Sequence, residues 1–244
     1  MIIHGVIPAA GKGSRLGMGI PKFLVPIKRN ITTLDLLRRR FEPYVTHTHL
    51  ITAPEARSLL DLRSNESIYV QRKAQGMGHA VFCAREGWIN AADAIAIVWG
   101  DQALLSEQTV RHAIRMHQSS LSRQATVPLT RVVLPYVDYI ISPNSGNLQS
   151  IRQSREGDKC RKSGISDVGL FIVSTNGLYD AWNNFNKVCC RGNLTGELNF
   201  LPFLLYLTKN GWRFQSFKVP NSKEARGINT SADLAFVRQN LEVY

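Results

Sequence analysis

The chain has 244 residues, 44% hydrophobic and 20% charged, which supports a substantial buried core and excludes a disordered or fibrous protein. Thirty basic against 18 acidic residues leave a net charge of +12, favouring anionic partners (phosphates, nucleic acid or acidic membrane) without choosing among them. No apolar run reaches membrane-spanning length, and the cysteines, Cys83, Cys160, Cys189 and Cys190, form no CxxC pair, which argues against a zinc site and for reduced thiols in a cytoplasmic protein.

The N-terminus lacks the basic start, apolar core and cleavage site of a signal peptide, and Ile2 to Ile7 reads as a buried strand. A glycine-rich loop follows. Thr32 to Phe41 has helical spacing, with Thr32 or Thr33 as N-cap. His49 to Thr52 is a short strand, Pro54 to Leu62 a short helix with proline in its first turn, Ile68 to Gln71 a strand and Gly78 to Asn90 a helix. Ala94 to Trp99 is a fully apolar strand ending at Gly100-Asp101, and Ser106 caps a helix running to Leu121. Ala125 to Val133 and Tyr136 to Ile141 read as a pair of strands. Asn144 to Asn147 is a turn, Leu148 to Ile151 starts a strand, and Glu156 to Gly164 is an exposed polar loop. Val168 to Val173 is a strand, Leu178 to Phe185 and Leu198 to Lys209 are helices, Arg213 to Val219 a strand and Ser231 to Leu241 the last helix. The β-loop-α alternation predicts an α/β fold, three-layer and Rossmann-like, with a mixed, mostly parallel sheet whose strand carboxyl ends bind ligand. No repeat or linker interrupts it. The chain is expected to be a single domain, with one lobe over about 1–124, a second over about 125–244 and a cleft between them.

The segment Pro8-Ala9-Ala10-Gly11-Lys12-Gly13-Ser14-Arg15-Leu16 follows the first strand. Small residues let backbone N–H groups approach a phosphate, and Lys12, Arg15 and the following Lys22 add positive charge. A Walker A loop needs Gly-Lys-Ser/Thr, but Gly13 follows Lys12. A dinucleotide fingerprint needs a third glycine where Leu16 stands. A bare G-x-G also suits a tight strand-to-helix turn carrying surface cations.

The longer pattern A-A-G-x-G-[ST]-R-[LM], followed by Pro21-Lys22, resembles the loop of the sugar-phosphate nucleotidyltransferase (MobA-like NTP transferase) family, and most closely its N-acetylglucosamine-1-phosphate uridylyltransferases. Val70 to Ala80 resembles the family's base-binding stretch, which implies that Gln71 and the backbone at Gly76 read a pyrimidine edge; an amide can both donate and accept. Met77 stands where the family has Thr or Ser. Val98-Trp99-Gly100-Asp101 ends a strand with a carboxylate, a common turn or capping residue that the resemblance makes a magnesium ligand. Gly227-Ile228-Asn229-Thr230 resembles the element whose Asn is the second metal ligand, although Asn229, Thr230 or Ser231 also suits a helix N-cap. Asp167 to Phe171 resembles the strand whose glycine, here Gly169, contacts the sugar, and Thr195-Gly196-Glu197 the element opening the acceptor-pocket helix. These elements occur in family order over almost the whole chain.

The resemblance implies the nucleotide-diphospho-sugar transferase fold and in-line attack by an acceptor phosphate oxygen on the α-phosphorus of an NTP, with release of pyrophosphate. It assigns Ala10, Gly11, Lys12, Gly13, Ser14, Gln71 and Gly76 to nucleotide binding, Arg15 and Lys22 to catalysis, Asp101 and Asn229 to Mg²⁺, and Gly169 and Glu197 to the acceptor. UTP or CTP is the expected donor, and a sugar 1-phosphate or similar molecule the acceptor. Guanylyl or cytidylyl transfer to a cyclitol or phosphocholine-like phosphate is the alternative. From another class, a nucleic-acid-binding protein is suggested by Arg38-Arg39-Arg40 and by Lys159, Arg161 and Lys162, but no motif with interleaved aromatics accompanies them. An NAD-binding protein lacks its third glycine and the acidic residue ending the second strand. His79, His112 and His117 read as packing or surface residues. The sequence ends soon after Asn229, so no acetyltransferase half is expected. A homo-oligomer is compatible with the sequence, which sets no oligomeric state.

Overall fold

A computed structural model describes residues 1–11, 16–17, 19–120, 123–188 and 191–241. Lys12, Gly13, Ser14 and Arg15, the Cys189 and Cys190 pair, and Leu121 at the expected end of a helix lie outside the described residues.

Strand β1 (Ile3–Pro8) is buried at all six positions. A small hairpin, β2 (Pro26–Lys28) and β3 (Ile31–Thr32), leads into helix α1 (Thr33–Phe41). Thr32 caps α1 in a reciprocal capping box with Asp35. Strands β4 (His47–Thr52) and β5 (Glu66–Val70) are separated by a 3₁₀ turn over Pro54–Leu59, shorter than the helix expected there because Leu60 has extended geometry. The helix expected over Gly78 to Asn90 is two, α2 (Met77–Cys83) and α3 (Arg85–Trp88), since Ala84 between them leaves helical geometry. Next come β6 (Ala94–Val98) and α4 (Glu107–Gln118), which Ser106 caps through Thr109 N–H.

Beyond these lie β7 (Gln124–Val133), β8 (Val137–Ile141), β9 (Leu148–Gln153), β10 (Ser163–Asp167) and β11 (Leu170–Ser174). Helices α5 (Leu178–Val188) and α6 (Phe200–Lys209), β12 (Arg213–Lys218) and α7 (Ser231–Asn240) complete the order. β7 and β8 do not pair with each other: β8 forms a separate hairpin with β9, while β7 joins the main sheet. The loop expected from Glu156 ends in strand β10. Glu156 itself is buried, because it accepts from Thr195, Asn199 and the Leu194 N–H.

The main sheet has eight strands in the order β10-β7-β11-β6-β1-β4-β5, with β12 on the other edge of β7. β6, β1, β4 and β5 run parallel, as do β7 and β12. β11 enters antiparallel between β6 and β7, and β10 continues along the same edge of β7 beyond the bend at Gly169. β6 is wholly apolar because both its faces are covered. Ile95 and Ile97 meet Trp88, Phe171 and Phe203 on one side, and Ala94, Ala96 and Val98 meet Leu37, Phe41 and Ile114 on the other. α1 and α4 cover the second face; α2, α3, α5 and α6 cover the first. A third cluster (Val25, Ile27, Leu36, Ala103, Leu104, Ile228 and Leu234) seats α7 against the small hairpin and the segment after β6. Among the described residues no helix is long and apolar enough to cross a membrane.

Candidate active site

The parallel strands β1, β5 and β6 deliver their carboxyl ends to one cleft of about 860 Å³, lined by Ala10, Gly11, Gln71, Gly76 and Asp101 among others. The Gly100 N–H donates to the Pro8 carbonyl (3.2 Å) and the Ala9 N–H to that of Ile51 (2.7 Å), so the segments after β1, β4 and β6 are tied together.

Asp101 and Asn229, 128 residues apart in the chain, meet here. The Ile228 N–H donates to the Asp101 carbonyl at 3.0 Å. Gly227 permits the approach, since a Cβ at that position would stand 2.9 Å from the Asp101 carboxylate. α7 holds Asn229 from behind: Asp233 accepts from the N–H groups of Asn229 (3.1 Å) and Thr230 (2.9 Å) and completes a capping box. Burial alone would raise the Asp233 pKa, but its bonds from Arg226, Thr230 and Asn229 hold it below the usual carboxylate range.

Lys22 joins the two. Its Nζ donates to Asn229 Oδ1 at 2.7 Å and stands 3.9 Å from Asp101 Oδ2. Burial raises the Asp101 pKa, and the Lys22 ammonium pulls it back only in part. Two oxygens, one carboxylate and one amide, thus converge on a cation at the mouth of the cleft. That donor set suits a hard divalent ion completed by phosphate oxygens and water. Among the described residues no three His, Cys, Asp or Glu side chains converge as a protein-only metal cage.

At the far side, Gln71 is buried and its Nε2 donates to the Gly76 carbonyl (3.1 Å) and to His79 Nδ1 (2.9 Å). Gly76 has φ +103°, and a Cβ there would meet the Leu198 carbonyl at 2.6 Å, so only glycine fits. Leu198 clamps this turn through its N–H to the Gln75 carbonyl (2.7 Å) and its carbonyl to the Gly78 N–H (2.9 Å). Glu197 lines the cleft beside it, paired with Arg155. Gly169 lies behind Gln102, whose Cγ is 2.5 Å from where a Gly169 Cβ would stand. Gln102, Ser166 and Asp167 line the cleft in that region, and Gly169 itself does not.

The sequence reading did not single out Gln102, Asp167, Arg155 or the apolar rim of Val133, Leu134 and Tyr136, and it set His79 aside. The residues not singled out reach the cleft through tertiary packing, and His79 touches Gln71 without lining the cleft. Burial raises the Asp167 pKa, opposed by the Gly169 N–H that donates to Oδ1 at 2.8 Å.

A mixed, mostly parallel sheet with small residues after β1, and with Asp101 after β6 and Asn229 before α7 meeting at the Lys22 ammonium, describes a nucleotide-binding transferase. The chain belongs to the MobA-like NTP transferase domain family, whose model matches residues 5–159. It is similar to the bifunctional protein GlmU of Desulfotalea psychrophila, 25% identical over 98% of this chain and 70% of that protein. It also resembles GlmU of Clostridioides difficile, 26% identical over 96% of this chain and 50% of that one. The chain therefore spans about half the length of the second relative. A UDP-glucose pyrophosphorylase solved with UDP-glucose shares the fold, with a TM-score of 0.75 and 16% identity over 98% of both chains.

Proposed function

We propose that this nucleotidyltransferase moves a nucleoside monophosphate from UTP or CTP onto the phosphate of a sugar 1-phosphate or similar acceptor, releasing pyrophosphate. The observation that carries the reading is the Lys22 ammonium held between Asp101 and Asn229 at the carboxyl end of β6. Asp101 and Asn229 would hold Mg²⁺, which supplies charge neutralisation to the phosphates when bound. Lys22 then turns to the α-phosphate, where negative charge builds during in-line displacement. Ala10, Gly11, Gly13 and Ser14 would follow the nucleotide backbone, and Lys12 and Arg15 would hold the departing pyrophosphate. Gln71 and Gly76 would read the base.

The acceptor would occupy the part of the cleft bordered by Glu197 and by Gln102 in front of Gly169. The GlmU likeness and the pyrophosphorylase fold support a sugar 1-phosphate there. The lobes of about 1–124 and 125–244 would divide the two substrates. The proposal includes a cytoplasmic location, for which the free thiols of Cys83 and Cys160 speak.

Pyrophosphate release with Mg²⁺ is the test, with each NTP set against a panel of sugar phosphates. Release that requires one NTP and one acceptor together supports the reading; none from any pair overturns it. Asp101→Ala removes a metal ligand and should lower turnover by at least about a hundredfold with the fold intact.

A further inference from the structure

His79 lies outside every role given above, yet the geometry around Gln71 turns on it. The Gly76 carbonyl can only accept, so the end of the Gln71 amide facing it at 3.1 Å must be the nitrogen, Nε2. The same nitrogen lies 2.9 Å from His79 Nδ1. An amide NH₂ only donates, so Nδ1 accepts, and the ring is the neutral tautomer with its proton on Nε2. Cys83 Sγ stands 3.5 Å from the same Nδ1, and burial pushes its thiol up, keeping it a second donor. Both hydrogens of the Gln71 NH₂ are therefore committed. Oε1 is the amide atom left for a ligand, on a residue that lines the cleft.

We propose that His79 is a positioning residue that sets base specificity: by accepting from Gln71 it presents a carbonyl oxygen to the nucleobase. This rests on Gln71 being the base contact. A carbonyl oxygen selects a pyrimidine whose ring nitrogen carries hydrogen, as uracil and thymine do. It repels the lone pair that cytosine presents at the same atom, and a site that leaves such groups unmatched discriminates strongly. Protonating His79 at Nδ1 makes it a donor, which the Gln71 NH₂ cannot satisfy; the amide must turn and the preference is lost. Among the described residues, the titratable and charged groups facing the ring are Cys83 and Arg191. Burial and then the Arg191 charge lower the His79 pKa, so the accepting form prevails at neutral pH.

The test is calorimetric titration of UTP and CTP, with Mg²⁺, into wild type, His79→Leu, His79→Gln and Gln71→Leu between about pH 5 and 8. The ionisation of the triphosphate is common to both nucleotides and cancels in their affinity ratio, and the protonation of cytosine N3 at the acid end, which does not cancel, is common to all four proteins and is removed by comparing their profiles. Wild type should favour UTP by about tenfold or more, and the ratio should fall as the pH drops through the His79 pKa. His79→Leu should lose most of that ratio and all of its pH dependence. His79→Gln, which keeps an accepting oxygen, should hold the ratio at every pH. This last variant and the wild-type pH profile carry the test if His79→Leu does not fold. An unchanged UTP/CTP ratio in His79→Leu, alongside lost UTP affinity in Gln71→Leu, overturns the proposal while sparing the base contact. Unchanged UTP affinity in Gln71→Leu instead removes the base contact, and the His79 role falls with it.

Discussion

Asp101 is placed where its charged form is costly. Its raised folded pKa means that the folded protein binds a proton more tightly at this site than the unfolded chain does. Stability from this group is therefore greatest below the unfolded pKa and is lost as the pH rises through the folded one. Asp101→Asn mimics the protonated state and should raise the melting temperature at neutral pH. It should lower turnover at least about a hundredfold. A thermal scan beside a pyrophosphate assay separates the two, and a fall in both would contradict the buried-charge account. Lys22 answers that charge as a resident counter-ion. A divalent ion arriving alone must displace the ammonium, whereas one arriving with a triphosphate brings oxygens for Lys22 to follow. Mg²⁺ should thus bind the free protein more weakly than its UTP complex, as titration of each with Mn²⁺ would read. Asp101, Asn229, Gln71 and Gly76 were legible in the sequence because each sits in a short motif at a strand or helix end. His79 lies in the same motif and was passed over, since its importance depends on a bond to Gln71 that crosses the turn.

Among the elements, α7 and the β8–β9 hairpin make the clearest predictions. The Asp233 carboxylate both caps α7 and fixes the Asn229 backbone. Asp233→Ala should cost about 1 kcal/mol of stability and raise the Mg²⁺ concentration needed for half-maximal activity, measured by denaturant melts and metal titration. In the hairpin, the Asp138 side chain is fully buried. Burial would raise its pKa, but bonds from Arg161 and the Ile165 N–H hold it low. Arg161→Met leaves that carboxylate buried without its cation and should cost about 3 kcal/mol, the low end for such a pair because two backbone N–H bonds remain. The depressed folded pKa gives stability that is present above the unfolded carboxylate pKa and disappears as the pH falls through the folded value. Wild type should therefore lose stability on acidification more steeply than Arg161→Met. The parallel strands and the Ser106 cap followed from the residues themselves, while Thr32 and Thr230 were each one of several neighbouring cap residues among which the structure chooses. The partners of β7 did not: adjacency suggested β8, but β8 joins β9, and β7 takes β10, β11 and β12, the last pairing with residues 89 positions earlier (Arg213 with Gln124). Helix α2 likewise stops at Cys83, whereas its apolar spacing ran on to Asn90.

At the scale of the molecule, the described residues lining the cleft carry Lys22, Arg155, Lys223 and Arg226 against Asp101, Asp167, Glu197 and Asp233. Their charges balance, so the +12 excess is not concentrated among them. The main sheet also runs unbroken through both halves of the chain: β11 enters from the second half and seats itself between β6 and β7 by hydrogen bonds on either side. A sheet shared in this way leaves no seam about which two halves can swing. Substrate entry and product exit must then be governed by the banks of the cleft, which include Ala9 to Gly11 and the stretch from Val132 to Val137. Small-angle scattering should give the same radius of gyration with and without nucleotide, while hydrogen exchange slows along those banks alone.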